Sequence, residues 1–405
     1  MSTAQDELGA LTRLAFGEAG RLVGGIAGTH RAIADRAFGA TGAAGSAARV
    51  LHDGISAAVY AGLRAGAELA GQSASLAVTR VRGGALPPSA SPRGALLTGA
   101  VTGLIGDALE HEGSPLAQPM AVRLRGRPVE PEPGSLAAAF PAAGPRLVVF
   151  LHGLMETEFA WDLGSREAGG SYGDRLTAET GCSALTIRYN SGRHISENGR
   201  SLAELLEEVS AHWPVDITEI ALVGHSMGGL VARSACYQAA EDGLEWVNRV
   251  RQVVSLGTPH LGAPLANAVH LAAAALHALP ESRAAGGFLR RRSAGIRDLR
   301  SGSLVDEDWR GLDPDALRRH ACRELPLLDG PTHHFVSATV TRDPRHPLGR
   351  LVGDWLVLEP SACGRGRSRR LAFRAEHGLH VGGAHHLALL NHPDVYERLR
   401  DWLRP

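Results

Sequence analysis

The stretch LVGHSMGGLV, residues 222–231, places Gly224 two residues before Ser226 and Gly228 two residues after it. Ile220, Ala221, Leu222 and Val223 lead in, and Leu230 and Val231 lead out. A serine on a sharp strand-to-helix turn holds its hydroxyl exposed in a strained backbone. The chain there passes so close to itself that a Cβ at either flanking position would clash. Gly-x-Ser-x-Gly therefore predicts a nucleophile at Ser226, provided that ITEIALV is a strand and SMGGLVARSACYQAAE a helix.

A serine hydroxyl needs a base to take its proton, and the base needs a carboxylate to hold it. Where the nucleophile sits on such a turn, the acid and then the histidine follow it in the chain. Asp354, in LVGDWLVLEP, and Asp343, in TRDPRHP, are the acid candidates. Asp354 is preferred because an unpaired charge in an apolar segment is costly, so it must have partners. Asp343 reads as a solvated turn residue. The base is sought among His377, His380, His385, His386 and His392. His385 and His386 follow the flexible Gly382–Gly383 pair. His386 is preferred because an apolar run follows it directly, with His385 as the alternative. His225 and His260 precede the place expected for a base and read as structural.

Ester cleavage passes through an oxyanion, which requires N–H donors aimed at it. Met227, after the nucleophile, supplies one. Leu154, in the turn FLHGLME that closes an earlier strand, is the candidate for the other.

The elements that must position these groups begin near residue 145. RLVVFLHG, CSALTIRYN, the elbow strand, VRQVVSLGTPH, THHFVSATV and RRLAFRAEH read as strands. ENGRSLAELLEEVSAHW carries Leu202, Leu205, Leu206, Val209 and Trp213 on one helical face, and HPDVYERLRDWL closes the chain as an amphipathic helix. Alternating strands and helices predict an α/β fold with a mostly parallel sheet and helices on both faces. Residues 262–330 interrupt that alternation and are expected to form a helical cap insertion.

Residues 1–85 are rich in Ala, Gly and Arg. Leu51, Ile55, Val59 and Leu63 recur every four residues, with Leu69 and Leu76 beyond. Leu22, Ile26 and Ile33 form a weaker stripe. Two or more amphipathic helices broken near FGATGAAGS are expected, their apolar stripe buried by protein packing, with a homo-oligomer interface as a sharper alternative. Residues 86–144, with RGGALPPSASPRG and RGRPVEPEPGS, read as a linker before a catalytic domain at 145–405.

The 405 residues carry 42 Lys+Arg and 42 Asp+Glu, and every one of those cations is arginine. Zero net charge makes no electrostatic case for nucleic acid. The four cysteines, Cys182, Cys236, Cys322 and Cys363, share no C-x-x-C spacing. The N-terminus has acids where a signal peptide needs cations, and GALLTGAVTGLIG at 94–106 is too short to span a bilayer. A cytoplasmic location is therefore expected, with membrane association not favoured, no metal and no cofactor.

FLHGLM, GHSMGGLVAR, SLGTPHLGAP, GDWLV and the terminal HHLALLNHPDVYERLRDWL resemble, in this order, the serine lipase and esterase branch of the α/β-hydrolase superfamily. They are also similar to the hydrolase domain of GPI inositol-deacylase-like and triacylglycerol-lipase-like proteins. The resemblance covers about 145–405. It implies an α/β-hydrolase fold and a carboxylic ester hydrolase acting on an ester or lipid substrate. The implied triad is Ser226, Asp354 and His386, with Leu154 and Met227 as oxyanion donors. Trp355 departs from the pattern, because glycine is common there. Two rival readings use the same chain: an acyltransferase with the same triad, and a non-catalytic scaffold working through its helical N-terminus.

Overall fold

The computed structural model describes residues 3–41, 46–79, 86–317, 321–343, 345–366 and 369–404. They divide into two compact units, a helical one and one built on a sheet. The strands are β1 (Ala121–Leu124), β2 (Arg127–Val129), β3 (Arg146–Leu151), β4 (Ser183–Arg188), β5 (Glu219–His225), β6 (Val250–Leu256), β7 (Thr332–Thr339) and β8 (Gly378–Gly382). The helices are α1 (Ala4–Thr41), α2 (Ser46–Thr79), α3 (Pro92–His111), α4 (Pro133–Ala139), α5 (Ser165–Ala168), α6 (Tyr172–Thr180), α7 (Ile195–His212), α8 (Met227–Glu241), α9 (Pro264–Ala278), α10 (Arg283–Arg290), α11 (Ala294–Asp298), α12 (Pro347–Val352), α13 (Glu359–Ala362) and α14 (Pro393–Trp402).

One sheet of order β2-β1-β4-β3-β5-β6-β7-β8 organises the larger unit. β3 to β8 run parallel, and β1 is antiparallel to both its neighbours. The central strands are buried on both faces, so they read as unbroken apolar runs. Successive side chains of β3 go to opposite sides. Leu147, Val149 and Leu151 join Leu202, Leu206, Leu230 and Val231 of α7 and α8. Val148 and Phe150 meet Tyr172 and Leu176 of α6 and Val395, Tyr396 and Leu399 of α14. β5 divides the same way, with Ile220 and Leu222 on one face and Ala221 and Val223 on the other. The sheet thus has an apolar layer on each face.

Three readings of the sequence change here. First, residues 86–144 are not a bare linker: they hold α3, α4 and two strands of the sheet. α3 belongs to the sheet unit. Its glycines let it lie against the loops of Met155 and Asn190. A Cβ on Gly103 would stand 2.4 Å from Met155 Cγ, and one on Gly106 would stand 2.0 Å from Asn190 Oδ1. The sequence shows the small residues of α3 but not the surface they press on. Second, the last strand is not RRLAFRAEH. It is Gly378–Gly382, after a short 3-10 turn at Ala375–His377. The ring of Phe335 on β7 fills the space of a side chain at residue 378, where a Cβ would lie 2.4 Å from Phe335 Cζ. A glycine-bounded strand carries little β propensity to read.

Third, the stripe on α2 is not covered by α1. Ile55, Val59 and Leu63 are exposed, while the side chains of Leu51 and Leu76 lie outside the described residues. α2 turns a small and polar face to α1. Gly71 packs on Phe16, Ser75 accepts from Arg13, and Tyr60 and His52 contact His30. The glycine allows closer approach there than a leucine stripe would. Of the segment expected as one cap, residues 268–292 group with this helical unit and the rest with the sheet unit. The side chain of Leu265 lies outside the described residues.

In a free helix, Gly103→Ala would add about 1 kcal/mol of stability. Here the clash with Met155 outweighs that gain. The substitution is expected to destabilise the protein by about 1–3 kcal/mol in urea unfolding. A neutral or stabilising effect would contradict the packing described for α3.

Candidate active site

β5 delivers Ser226 at φ 52° and ψ −120°, and α8 starts at the next residue. This is the strained turn that the glycine spacing requires. A Cβ on Gly224 would stand 2.3 Å from the Gly229 nitrogen, and one on Gly228 would stand 2.3 Å from the Leu151 carbonyl oxygen. Neither clash can relax, because the atoms met are backbone. The Ser226 N–H donates to the Leu256 carbonyl at 2.8 Å, which ties the turn to the end of β6.

The structure brings Asp354 and His386 together. His386 Nδ1 donates to Asp354 Oδ2 at 2.7 Å, and both side chains are buried. Asp354 Oδ1 accepts from the Leu356 and Val357 amides at 3.0 and 2.8 Å. The His386 N–H donates to the Asp354 carbonyl at 2.9 Å. The carboxylate is thus fully engaged, as a buried charge must be. With Nδ1 protonated, His386 Nε2 carries the lone pair, and it has no hydrogen-bond partner among the described residues. The ring lies on Gly257, where a Cβ would be 3.0 Å from His386 Cε1. Gly257 follows the residue that holds the Ser226 amide, so Asp354, His386 and Ser226 converge at the end of β6. Asn391, at φ 57°, anchors the loop behind His386 by donating to the Trp161 and Leu163 carbonyls.

The turn after β3 faces the serine. A Cβ on Gly153 would lie 3.0 Å from Ser226 Cβ. The Leu154 N–H makes no hydrogen bond among the described residues, while the Met155 N–H, at φ 62°, donates to Ser191 Oγ at 3.1 Å. Met227 is the first residue of α8, so its N–H is one of the unpaired donors of a helix start. His152 is buried and stacks on Tyr189. Burial pushes its pKa down to about 4. Its Nδ1–H donates to the Gly153 carbonyl, and Nε2 accepts from the Tyr189 amide. A neutral ring in a fixed tautomer therefore braces the turn. Gly295 lies in α11, where a Cβ would stand 2.1 Å from the Ser191 carbonyl oxygen and 3.2 Å from Met227 Cε.

Residues 187–313 match the family model described as the PGAP1-like alpha/beta domain. None of the curated proteins matches the chain. Among solved structures, the mature lipase BlEst2 of Bacillus licheniformis is 20% identical, with 70% of this chain and 99% of that one covered, at a TM-score of 0.40. An esterase of Pyrobaculum calidifontis is 14% identical over 78% and 91% of the two chains, at 0.36. The Pyrococcus furiosus esterase Pf2001 is 16% identical over 65% and 82%, also at 0.36. The sheet unit has the α/β-hydrolase fold. That statement rests on the strand order, the parallel core and the turn between β5 and α8.

The remaining candidates fall elsewhere in this fold. Asp343 caps an exposed turn through the Arg345 amide. His385 is exposed. His380 is taken up by Ser337 and Thr339 between β7 and β8, and His392 caps α14. His377 packs beside His334. His260 is buried against Arg233 and Phe373, with its pKa pushed far down by burial. Among the described residues no helix is long and apolar enough to cross a membrane.

Two features of the site were hidden in the sequence. Trp355 sits at φ 84°, between Asp354 and the amides that bind its carboxylate. Glycine adopts that conformation without cost, which is the physical content of the departure at this position. The second is Glu156. Its carboxylate accepts from the Gly153 N–H at 2.6 Å and from His225 Nδ1 at 3.0 Å. Burial opposes ionisation of both groups. Their mutual attraction nonetheless overcomes it, lowering the Glu156 pKa and raising that of His225. The clue available in the sequence was a polar residue three positions after Gly153, which carries no signature alone.

Trp355→Gly is expected to be more stable than Trp355→Ala by about 1 kcal/mol in urea unfolding, because alanine keeps the positive-φ strain. Equal stabilities would contradict that strain.

The Glu156–His225 pair also sets a pH dependence. The folded pKa of Glu156 lies below its ordinary 4.5, so its contribution is lost as the pH falls through that lowered value. The folded pKa of His225 lies above its ordinary 6.5, so its contribution is full below 6.5 and lost as the pH rises through the raised value. Thermal unfolding from about pH 5 to about pH 9 should therefore show an alkaline loss in the wild type that is smaller in His225→Gln. Parallel pH profiles would remove the pair from the stability of the fold.

Proposed function

We propose that the chain is a serine hydrolase that cleaves carboxylic esters of lipid or acyl type through an acyl-enzyme. The observation that carries this reading is the buried Asp354–His386 hydrogen bond, with the free Nε2 of His386, beside a serine on a strained turn. Ser226 Oγ attacks the ester carbonyl carbon while its proton passes to His386 Nε2. Asp354 stays ionised and stabilises the imidazolium. The carbonyl oxygen becomes an oxyanion and accepts from the Leu154 and Met227 N–H groups, each worth about 10²–10³ in rate in comparable sites. Collapse breaks the bond to the alcohol oxygen, which takes the proton from His386. Water then attacks the acyl-enzyme with His386 as base, and the carboxylic acid leaves.

Of the segment between β6 and β7, the part that groups with the sheet unit, α11 included, is the part we assign to binding the acyl group. The match of residues 187–313, which contain Ser226, to the PGAP1-like alpha/beta domain supports this reading.

Ser226→Ala is expected to abolish labelling by a fluorophosphonate and to reduce p-nitrophenyl ester hydrolysis by several orders of magnitude, with the fold unchanged by circular dichroism. Asp354→Asn and His386→Ala should lower kcat far more than they raise KM. Retained activity in folded Ser226→Ala would end the reading. An added alcohol acceptor, with products analysed by mass spectrometry, separates hydrolysis from acyl transfer.

A further inference from the structure

His225 and Glu156 lie directly behind the reacting groups without entering the chemistry just described. His225 precedes the serine and is fully buried. Both its ring nitrogens face acceptors: the Glu156 carboxylate at 3.0 Å and the His386 carbonyl at 3.4 Å. Acceptors on both sides require a donor on both sides, which is the imidazolium. Glu156 supplies the compensating charge and turns the same oxygen, Oε2, to the Gly153 N–H at 2.6 Å. One ion pair therefore touches three loops that must keep register: the turn bearing the Leu154 donor, the residue before Ser226, and the residue that is the base. The rings of His225 and His386 are 4.8 Å apart, so the contact lies immediately under the base. Trp161 closes the other side of His225, which keeps that ring out of water.

A purely structural ion pair needs none of these addresses. Here both hydrogen bonds that leave the pair end on the main chain, at His386 and at the neighbour of Leu154. The Gly153 amide is held one residue before Leu154, so the carboxylate sets the peptide that aims the Leu154 N–H. The carbonyl of His386 is held by His225 while its amide is held by the Asp354 carbonyl, so the backbone of the base is gripped from both sides.

We infer that Glu156 and His225 are positioning residues, a charged brace that sets the Leu154 donor and His386 relative to Ser226. This rests on the reading of Ser226 as nucleophile. The brace acts on geometry rather than on affinity, so it belongs to kcat. Misplacing a donor or a base by about 1 Å costs up to about a hundred-fold.

The test uses the full chain with p-nitrophenyl butyrate and, independently, the rate of labelling by a fluorophosphonate. Glu156→Gln keeps an acceptor for Gly153 but removes the charge, and His225→Gln removes the cation. Each folded variant is expected to lose about ten- to a hundred-fold in kcat, with KM changed less than about three-fold, and to label more slowly in proportion. The double variant should lose no more than the worse single one, because the two act as a unit. A loss carried by KM, kcat within about two-fold of wild type, or independent losses that multiply in the double variant would overturn the brace. If Glu156→Gln does not fold, His225→Gln alone carries the same kcat and labelling comparison. Ser226→Ala is run alongside. Its inactivity beside unaffected brace variants refutes this inference alone, whereas its retained activity refutes the nucleophile and the brace together.

Discussion

The site depends on one close approach of backbone to backbone. The turn at Ser226 passes within side-chain distance of the ends of β3 and of its own helix, and glycine at 224 and 228 is what leaves room. That contact fixes where the serine stands relative to the turn after β3. It also puts the Ser226 amide on the end of β6 and Gly153 against the serine itself. Parallel neighbours β3, β5 and β6 end at the same edge of the sheet, so the groups that follow them meet without any long loop. Strain at one residue is held because three strands determine it from outside.

Around that contact the protein pairs its buried charges. Asp354 has His386 and two amides, and Glu156 has His225 and one amide. Glu158 binds Arg188 in a bidentate pair between the turn after β3 and the end of β4. Removing one member of such a set strands the other in a low-dielectric interior, which is more damaging than the absence of the pair. The carboxylates near the serine therefore act as fasteners between loops as well as charges. α3 adds a mechanical fastener, since its glycine face presses on Met155 and Asn190.

Some of this was legible in the residues. Ser226, Met227 and the glycines form a local pattern whose clash is computable from backbone sterics. The alternation of β3 and β5 between two apolar layers reads directly from uninterrupted runs of Val, Leu and Ile. The choice of Asp354 over Asp343 followed from the cost of a charge in an apolar segment, and the structure puts Asp354 in the interior and Asp343 on an exposed turn. The choice of His386 over His385 followed from the apolar run after it. His386 is buried against Asp354, whereas His385 is exposed.

Other features had no local trace. Glu156 and His225 stand 69 positions apart and meet because β3 and β5 are neighbours in the sheet. The fate of residues 86–144 was decided by pairing of β1 with β4 and by the fit of α3, neither of which composition encodes. The last strand moved to a glycine-bounded segment because Phe335 of β7 occupies the space beside it. On α2 the apolar stripe was plain in the sequence, but the side that α1 covers is the small and polar one. Sequence alone determined what backbone sterics and local periodicity control: the strained serine, its glycines and the two-faced strands. Tertiary structure decided which distant side chains share a buried space, because pairing between strands and the fit of small residues depend on neighbours that the chain brings together only when folded.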